Sequence, residues 1–212
     1  MIRVLLADDH TLVREGIRQL LTAAADIVVA AEAASGDEAL AMVRGTELDL
    51  AVLDMSMPGL AGIDLIKRLK AEKPKLRVLV LSMHGEHQYA ARALKAGASG
   101  YLTKDAAAAQ LAQAIRKIAA GGMHISEGAA ALLLAAGNAG DAPAHTRLSD
   151  REFEVFRQIV AGRGLTEIAD RLNLSVKTVS THKTRILQKM DLQGTAELVR
   201  YAVENGLADG TA

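Results

Sequence analysis

Up to about residue 120, the sequence alternates five times between a short apolar run and a longer amphipathic segment. The runs have the length of strands, and the segments repeat their apolar residues with the period of a helix. Because crossovers between parallel strands are nearly always right-handed, this order predicts one parallel sheet with helices on both faces. The predicted strands are Ile2–Ala7, Ile27–Ala33, Leu48–Leu53, Arg77–Leu81 and Gly100–Thr103. The predicted helices are Leu12–Ala24, Asp37–Arg44, Ile63–Glu72, Gln88–Ala96 and Ala107–Ala120.

The character of the sequence changes twice after this α/β block. Residues 122–146 carry no Lys or Arg and 2 acidic side chains, and they include a run of turn-forming residues at Gly137–Pro143. We expect a linker here, with one short helix over Glu127–Ala136. The remaining block contains four predicted helices in about 60 residues, which is typical of a compact all-α domain. The predicted boundaries are 1–121, 122–146 and 147–212.

Composition excludes several classes of protein. No apolar stretch reaches the roughly 18 residues that a membrane helix needs. A signal peptide would begin with a charged region and an apolar core, but here Met1 is followed directly by a predicted strand. We therefore expect a cytoplasmic protein without a membrane partner. The chain contains no cysteine, which excludes disulfides, thiolate metal sites and thiol catalysis.

Polar side chains follow four of the predicted strands at their carboxyl ends. Asp8 and Asp9 follow the first strand, Asp54 the third, Ser82 the fourth and Lys104 the fifth. Ligands of open α/β sheets bind at this edge, so groups distant in sequence meet there. An aspartate can accept a phosphoryl group as an acyl phosphate, with Mg²⁺ held by carboxylates and a cation for the product phosphate. The three carboxylates and the ammonium meet these requirements.

The same segments resemble the receiver domain of two-component response regulators. The matching pieces are LLADDH, VLDMSMPG, LSMH, GASGY and LTKD, which contain Asp8, Asp54, Ser82, Tyr101 and Lys104 in that order. One piece alone is weak evidence, but five in the same order and spacing are highly specific. The resemblance covers residues 2 to about 120 and implies a five-stranded, doubly wound sheet of the flavodoxin-like type.

The resemblance also implies a metal site and a phosphoacceptor. Asp54 corresponds to the phosphoacceptor, and Asp9, Asp54 and the backbone carbonyl of Ser56 correspond to Mg²⁺ ligands. Asp8 would act on the metal through water. Taken singly, an aspartate at a strand end is often only a helix cap, so the assignment depends on the whole set.

The remaining receiver positions concern the phosphate. Ser82 would hydrogen-bond it, Tyr101 would swing inward with it, and Lys104 would form an ion pair with it. From physics alone, Tyr101 has the alternative role of a half-buried packing residue. His10 and His84 flank the site, but Mg²⁺ is a hard cation that rarely binds imidazole, so neither is predicted to be a ligand.

One position departs from the pattern of many receivers, which have a proline after the conserved lysine, joined by a cis peptide. Here Asp105 follows Lys104. A cis bond before a residue other than proline costs about 3 kcal/mol, so we predict a trans peptide.

The last block has the layout of a helix-turn-helix. Ser149 and Glu152 have the spacing of a capping box, which predicts a helix from Asp150 to about Ala161. The other predicted helices are Thr166–Leu172, Val176–Met190 and Thr195–Asn205, with a tight join at Asn173–Leu174. In such a motif the second helix of the pair, here Val176–Met190, enters the major groove of DNA.

This candidate recognition helix has two faces. Its apolar stripe consists of Val179, Ile186, Leu187 and Met190. The opposite face consists of Lys177, Ser180, Thr181 and Thr184, flanked by Lys183 and Arg185. The two flanking cations suit phosphate contacts, and the short hydroxyl side chains can contact base edges or a thymine methyl. Taken alone, such a basic stripe is more often a solvated helix face, and the helix-turn-helix pattern favours DNA binding.

Residues 148–207 resemble the LuxR-type DNA-binding domain, and the whole chain resembles NarL/FixJ-type response regulators. The matching residues include Leu148–Glu152, Glu167–Ala169, Leu174–Val179, His182 and Lys189. The resemblance implies that the last helix forms a dimer contact on DNA. Gly164 and Gly194 stand where the family often has Ser or Asn, but glycine is nearly as good an N-cap.

We therefore predict a transcription factor that is switched when a sensor histidine kinase phosphorylates Asp54, and that binds double-stranded DNA as a homodimer. Two alternatives remain open. The receiver could act without phosphorylation, or Asp54 could be the nucleophile of a phosphohydrolase. The second is disfavoured because such enzymes usually carry a carboxylate two residues further on, where this chain has Ser56. We expect no enzymatic turnover beyond Mg²⁺-dependent self-phosphorylation from small donors and slow self-dephosphorylation.

Overall fold

A computed structural model of the chain describes residues 1–57, 59–60, 62–82, 87–126, 130 and 143–208. The chain forms two compact units, Met1–Leu134 and Ala135–Ala212. Pro58, His84 and nearly all of the predicted linker helix and turn run lie outside the described residues. The boundaries at 121 and 146 remain predictions.

The first unit contains five parallel strands in the order β2-β1-β3-β4-β5. The strands are β1 (Ile2–Ala7), β2 (Ile27–Ala33), β3 (Leu50–Asp54), β4 (Arg77–Ser82) and β5 (Gly100–Thr103). The predicted parallel sheet is confirmed. β3 begins two residues later than predicted, after Asp49, whose carboxylate accepts a hydrogen bond from the Arg3 N–H at 2.8 Å.

Helices follow every strand of the sheet. They are α1 (Thr11–Thr22), α2 (Gly36–Gly45), α3 (Gly62–Glu72), α4 (His87–Lys95) and α5 (Lys104–Ala119). α5 begins three residues earlier than predicted and follows β5 directly. Its first turn is rich in alanine, the best helix former, so the helix extends back to the end of the strand. Lys104 is therefore held by helical backbone at the carboxyl edge of the sheet.

The core of this unit consists of alternate strand residues covered by helices. One cluster joins Val52 of β3 and Leu79 of β4 to Leu21 of α1 and to Leu111 and Ile115 of α5. α1 also contacts α5, while α2 contacts α3 and α3 contacts α4. The helices therefore form two groups on the two faces of the sheet, as a doubly wound fold requires.

The chain after α5 returns to the edge of β5. The Tyr101 N–H donates to the His124 carbonyl at 2.8 Å, and the His124 N–H donates to the Ser99 carbonyl at 3.2 Å. Gly100 lies between these two bonds. A Cβ at that position would lie 2.7 Å from Ile118 Cδ1 and 2.9 Å from the His124 oxygen, so only glycine lets the backbones approach this closely.

The second unit is helical. Its α-helices are α6 (Asp150–Val160), α7 (Leu165–Leu172), α8 (Val176–Met190) and α9 (Thr195–Glu204), and a 3₁₀ turn at Ala144–Arg147 precedes them. The four predicted helices are confirmed, whereas the 3₁₀ turn was not predicted. It buries His145, whose Nδ1 shares a hydrogen bond of 2.8 Å with the Tyr201 hydroxyl of α9.

A buried glutamate connects the start of α6 to the end of α8. Glu152 completes the predicted capping box with Ser149 and also pairs with Lys189 Nζ at 2.6 Å. Burial alone raises the pKa of Glu152, but the hydrogen bonds and charge of Lys189 and Ser149 outweigh it, so the pKa lies below its usual value. Glu152 therefore remains ionised while it is buried.

Among the helices that the structure describes, none combines the length and apolar character needed to traverse a bilayer.

Replacing Gly36 with alanine should destabilise the first unit. A Cβ at Gly36 would lie 1.5 Å from the Leu60 carbonyl oxygen, so the loop after β3 must move away from α2. We expect a loss of about 1–3 kcal/mol in the free energy of unfolding, measured by urea denaturation.

Gly16→Ala is the matched control. Gly16 lies inside α1, and a Cβ there has no described neighbour within 4 Å. This substitution should increase stability by about 0.5–1 kcal/mol. Equal effects of the two substitutions would contradict the packing argument.

Glu152→Gln should reduce stability by about 1–2 kcal/mol at pH 7, because it removes a hydrogen-bonded charge. The pKa of Glu152 is lowered in the folded state, so its contribution is present above the unfolded pKa and is lost as the pH falls through the folded pKa. The difference from wild type should therefore shrink below about pH 4.5. Glu167→Gln, at an exposed ion pair with Arg163 and Arg171, should change stability by less than about 0.5 kcal/mol. A difference that persists undiminished in acid would exclude this role for Glu152.

Candidate functional site

Three carboxylates lie together at the carboxyl edge of the sheet. Asp8 follows β1 and is 1% exposed, and Asp54 ends β3 and is 2% exposed. β1 and β3 are neighbours, with Ala7 opposite Leu53, so the chain direction brings these two side chains to one place. Asp9 is more accessible, with 30% of its side chain exposed. The predicted convergence of the three aspartates is therefore present in the structure.

Lys104 neutralises the two buried carboxylates. Its Nζ lies 2.7 Å from Asp8 Oδ2 and 2.9 Å from Asp54 Oδ2. Burial alone lowers the pKa of Lys104, but the hydrogen bonds and charges of Asp8 and Asp54 outweigh it and raise the pKa above its usual value. Burial, with a smaller contribution from the charge of Asp8, raises the pKa of the Asp54 carboxyl above its usual value, and Lys104 limits that rise. The ammonium thus favours the ionised form of Asp54, which is the nucleophilic form of a carboxyl group.

Backbone groups hold the carboxylates in place. The His10 N–H donates to Asp8 Oδ1 at 2.9 Å, and the Ser56 N–H donates to Asp54 Oδ1 at 3.3 Å. Arg14 of α1 donates to the Asp8 carbonyl oxygen at 2.7 Å. The loops after β1 and β3 therefore donate hydrogen bonds to the Asp8 and Asp54 carboxylates, and Arg14 holds the backbone of Asp8.

The donor atoms of this cluster suit a hard divalent cation. Asp8, Asp9, His10 and Asp54 each offer an atom within 4.8 Å of the others. Carboxylate oxygens are the ligands that such cations prefer. His10 is part of this group, since its Nδ1 lies 3.1 Å from Asp9 Oδ1 and 3.3 Å from Asp8 Oδ1. The sequence placed His10 only beside the site, and the structure places its ring against two of the carboxylates.

Ser82 and Tyr101 lie on the next strands of the same edge. Ser82 ends β4, pairs in register with Thr103, and is 1% exposed. Tyr101 of β5 lies opposite Val80 of β4 and is 8% exposed, so its side chain is buried. Because β4 lies between β3 and β5, Ser82 falls between the strand of Asp54 and the strand that leads to Lys104.

The peptide bond after Lys104 is trans, as are the other peptide bonds among the described residues. The prediction for Asp105 is confirmed. Lys104 therefore reaches the two aspartates without the cis bond that many receivers have at this position.

A second group of candidate residues lies on α8 in the helical unit. The turn between α7 and α8 is formed by Asn173, which adopts the left-handed conformation with φ 52°, and the Leu174 N–H donates to the Ala169 carbonyl at 2.8 Å. Asparagine tolerates this conformation at the end of a helix. Ser175 then caps α8 by accepting a hydrogen bond from the Thr178 N–H at 3.1 Å. The predicted tight join and helix start are confirmed.

The two predicted faces of α8 are present. Val179, Ile186 and Met190 are buried, while Leu187 of the predicted apolar stripe is only partly buried. The exposed residues of the opposite side are Lys177, Ser180, Thr181, Thr184 and Arg185, with Lys183 partly buried beside them. α8 carries no Asp or Glu, so its exposed side is free of negative side chains.

The contacts that orient α8 leave no local signal in the sequence. Lys189 near its end pairs with Glu152, and Arg151 donates to the Leu172 carbonyl at the end of α7 at 2.6 Å. The capping-box spacing had identified Glu152 as a helix-start residue. No local pattern could pair it with a lysine 37 residues away.

Two family models match the chain, one in each unit. Residues 4–116 match the response regulator receiver domain. Residues 146–202 match the luxR family of bacterial regulatory proteins. Together the two matches contain all the candidate residues described above.

Curated relatives extend over the full length of the chain. The response regulator UvrY of Escherichia coli (strain K12) is 35% identical over 212 residues, which are 99% of this chain and 97% of that protein. The response regulator GacA of Pseudomonas viridiflava is 37% identical over 215 residues, covering 100% of both chains.

Solved structures of the response regulator RcsB from Salmonella have the same two-part architecture. One, of RcsB from Salmonella typhimurium, has a TM-score of 0.76 at 28% identity and covers 98% of both chains. Another is RcsB bound to promoter rprA in the presence of the phosphomimetic BeF₃⁻, with a TM-score of 0.70 at 29% identity over 96% of this chain and 99% of that chain. On the matched domains and the full-length relatives, this chain belongs to the response regulators of two-component systems that carry a LuxR-type DNA-binding domain.

Proposed function

We propose that Asp54 accepts the phosphoryl group from a partner histidine kinase and that this change controls DNA binding by α8. The observation that carries the proposal is the contact of Lys104 with both Asp8 and Asp54. This contact supports the proposal because a carboxylate and a cation lie together beside the other acidic side chains. Family membership supports the same pairing of a receiver with a DNA-binding domain.

The transfer is a substitution at phosphorus. An Asp54 carboxylate oxygen attacks the phosphoryl group of a phosphohistidine, the new P–O bond forms as the P–N bond breaks, and the electron pair returns to the imidazole. Lys104 and the Ser82 hydroxyl bind the transferred phosphoryl oxygens, and Tyr101 responds from the neighbouring strand.

We assign Mg²⁺ to Asp9, Asp54 and the Ser56 carbonyl, with Asp8 acting through water. When bound, the ion would offset negative charge on the transferring oxygens. The oxygen-rich donor set of the described residues supports this choice. We propose only self-phosphorylation and slow self-dephosphorylation as chemistry of this chain, since position 56 is serine, where an acid/base carboxylate would be needed for turnover.

On DNA, we propose that Lys183 and Arg185 contact phosphates while Lys177, Ser180, Thr181 and Thr184 face the bases. The exposure of these four side chains opposite the buried stripe supports the assignment. We further propose that the phosphorylated protein binds as a homodimer through α9 and acts in the cytoplasm, where its promoters are. The predicted boundaries assign 1–121 to the receiver, 122–146 to the linker and 147–212 to the DNA-binding domain.

Asp54→Ala should abolish acyl-phosphate formation. The full-length protein is incubated with acetyl phosphate and Mg²⁺, and intact-protein mass spectrometry measures the addition of one phosphoryl group. Asp105→Asn, an exposed aspartate at the same edge of the sheet, should be phosphorylated like wild type. If the Asp54→Ala protein still gains the group, or if its DNA binding responds to the donor as before, the proposed switch is wrong.

Arg185→Ala should weaken DNA binding about equally on all sequences and lower the slope of log K against log salt by about 1, because one phosphate contact is lost. Fluorescence anisotropy with a duplex selected by the wild-type protein, in Mg²⁺ and BeF₃⁻ at several salt concentrations, measures this slope. Lys75→Ala, an exposed lysine of the receiver, is the control. An unchanged slope in Arg185→Ala would remove Arg185 from the interface.

A further inference from the structure

Two threonines on the exposed face of α8 donate their hydroxyl protons to backbone carbonyls of the same helix. Thr181 Oγ1 donates to the Lys177 carbonyl at 2.9 Å, and Thr184 Oγ1 donates to the Ser180 carbonyl at 3.1 Å. Each hydroxyl bonds the carbonyl four residues earlier, a known arrangement of threonine within helices.

This arrangement determines which group each threonine presents to a ligand. The Cβ of threonine carries one hydroxyl and one methyl, so a hydroxyl that turns toward its own backbone leaves the methyl on the outer side. Both residues are exposed. The outer surface of α8 between Lys177 and Arg185 is therefore more apolar than its sequence of hydroxyl residues indicates.

In the major groove, a methyl group has one specific partner. Thymine carries a C5-methyl group there, and apolar side chains contact it, whereas a hydroxyl can bond to either donors or acceptors and discriminates poorly. Thr181 and Thr184 are three residues apart, which is about 4.5 Å along a helix. Base pairs are about 3.4 Å apart, so the two methyls can meet thymines on neighbouring base pairs.

We propose that Thr181 and Thr184 recognise thymine through their methyl groups and are specificity-determining residues of this regulator. The inference rests on the proposed DNA-binding function of α8. It adds to that function the base and the atom that are recognised.

The test compares thymine with uracil, which differs only by that methyl group. The full-length protein, in Mg²⁺ and BeF₃⁻, selects duplexes from a random library, and the selected pool is amplified in parallel with thymidine or deoxyuridine. The measured quantity is the ratio of the two affinities. We expect wild type to bind the thymidine pool about fourfold more tightly for each methyl contact, the factor for burial of one carbon group.

Two double variants separate the methyl from the hydroxyl. Thr181→Ser with Thr184→Ser keeps the hydroxyls and removes the methyls, so the ratio should fall toward one. Thr181→Val with Thr184→Val keeps methyls and removes the hydroxyls, so the ratio should stay close to that of wild type. Thr178→Ser is the control, because Thr178 is partly buried and contacts the Ser175 hydroxyl at 2.8 Å. Circular dichroism checks that α8 remains folded in each variant.

The outcomes are distinct. A serine variant that keeps the wild-type ratio, or a valine variant that loses it, overturns methyl recognition while DNA binding itself stands. A wild-type protein that selects no sequence from the library overturns the proposed DNA-binding function, and this inference with it. Because the ratio compares variants on the same two pools, any effect of uracil on DNA shape affects them all equally.

Discussion

At the carboxyl edge of the receiver sheet, the arrangement of the side chains depends on one ammonium group that lies between two buried carboxylates. Buried carboxylates need a counter-charge, and the Lys104 ammonium supplies it at 2.7 Å from Asp8 Oδ2 and 2.9 Å from Asp54 Oδ2. The contact also has a mechanical effect, because Asp8 follows β1, Asp54 ends β3 and Lys104 begins α5. One charge thus joins three elements that are distant in sequence. A phosphoryl group on Asp54 would add negative charge beside this ammonium, so the modification alters the interaction that holds the edge of the sheet together.

In the helical unit, a buried carboxylate pairs with one cation. Buried Glu152 is the centre, and it joins the start of α6 to Lys189 near the end of α8. Arg151 adds a bond from α6 to the end of α7. The orientation of α8 is therefore set near its last residue by the pair of Lys189 with Glu152. Before its first residue it is set by the left-handed turn at Asn173. In both units a few buried polar contacts position the candidate functional side chains.

Much of this architecture could be predicted, and the reasons are local. The strands and helices follow from the periodicity of apolar residues, which the core requires, and the capping box of Ser149 and Glu152 is a spacing rule. The convergence of the aspartates follows from parallel strands that all end at one edge.

Other features depend on contacts between distant residues and leave no local signal. The pairing of Glu152 with Lys189, the position of His145 under Tyr201 and the rotation of the Thr181 hydroxyl are of this kind. The early start of α5 shows that helix propensity can extend an element beyond its periodic pattern.

The return of the chain to β5 has a consequence for association between molecules. β5 is the last strand of the sheet, and the outer strand of any sheet can recruit a strand from another chain through its unpaired amides and carbonyls. In this protein His124 already occupies the Tyr101 amide and the Ser99 carbonyl, and Gly100 permits the close approach. The segment after α5 therefore covers these edge groups and makes them unavailable to a strand of another chain.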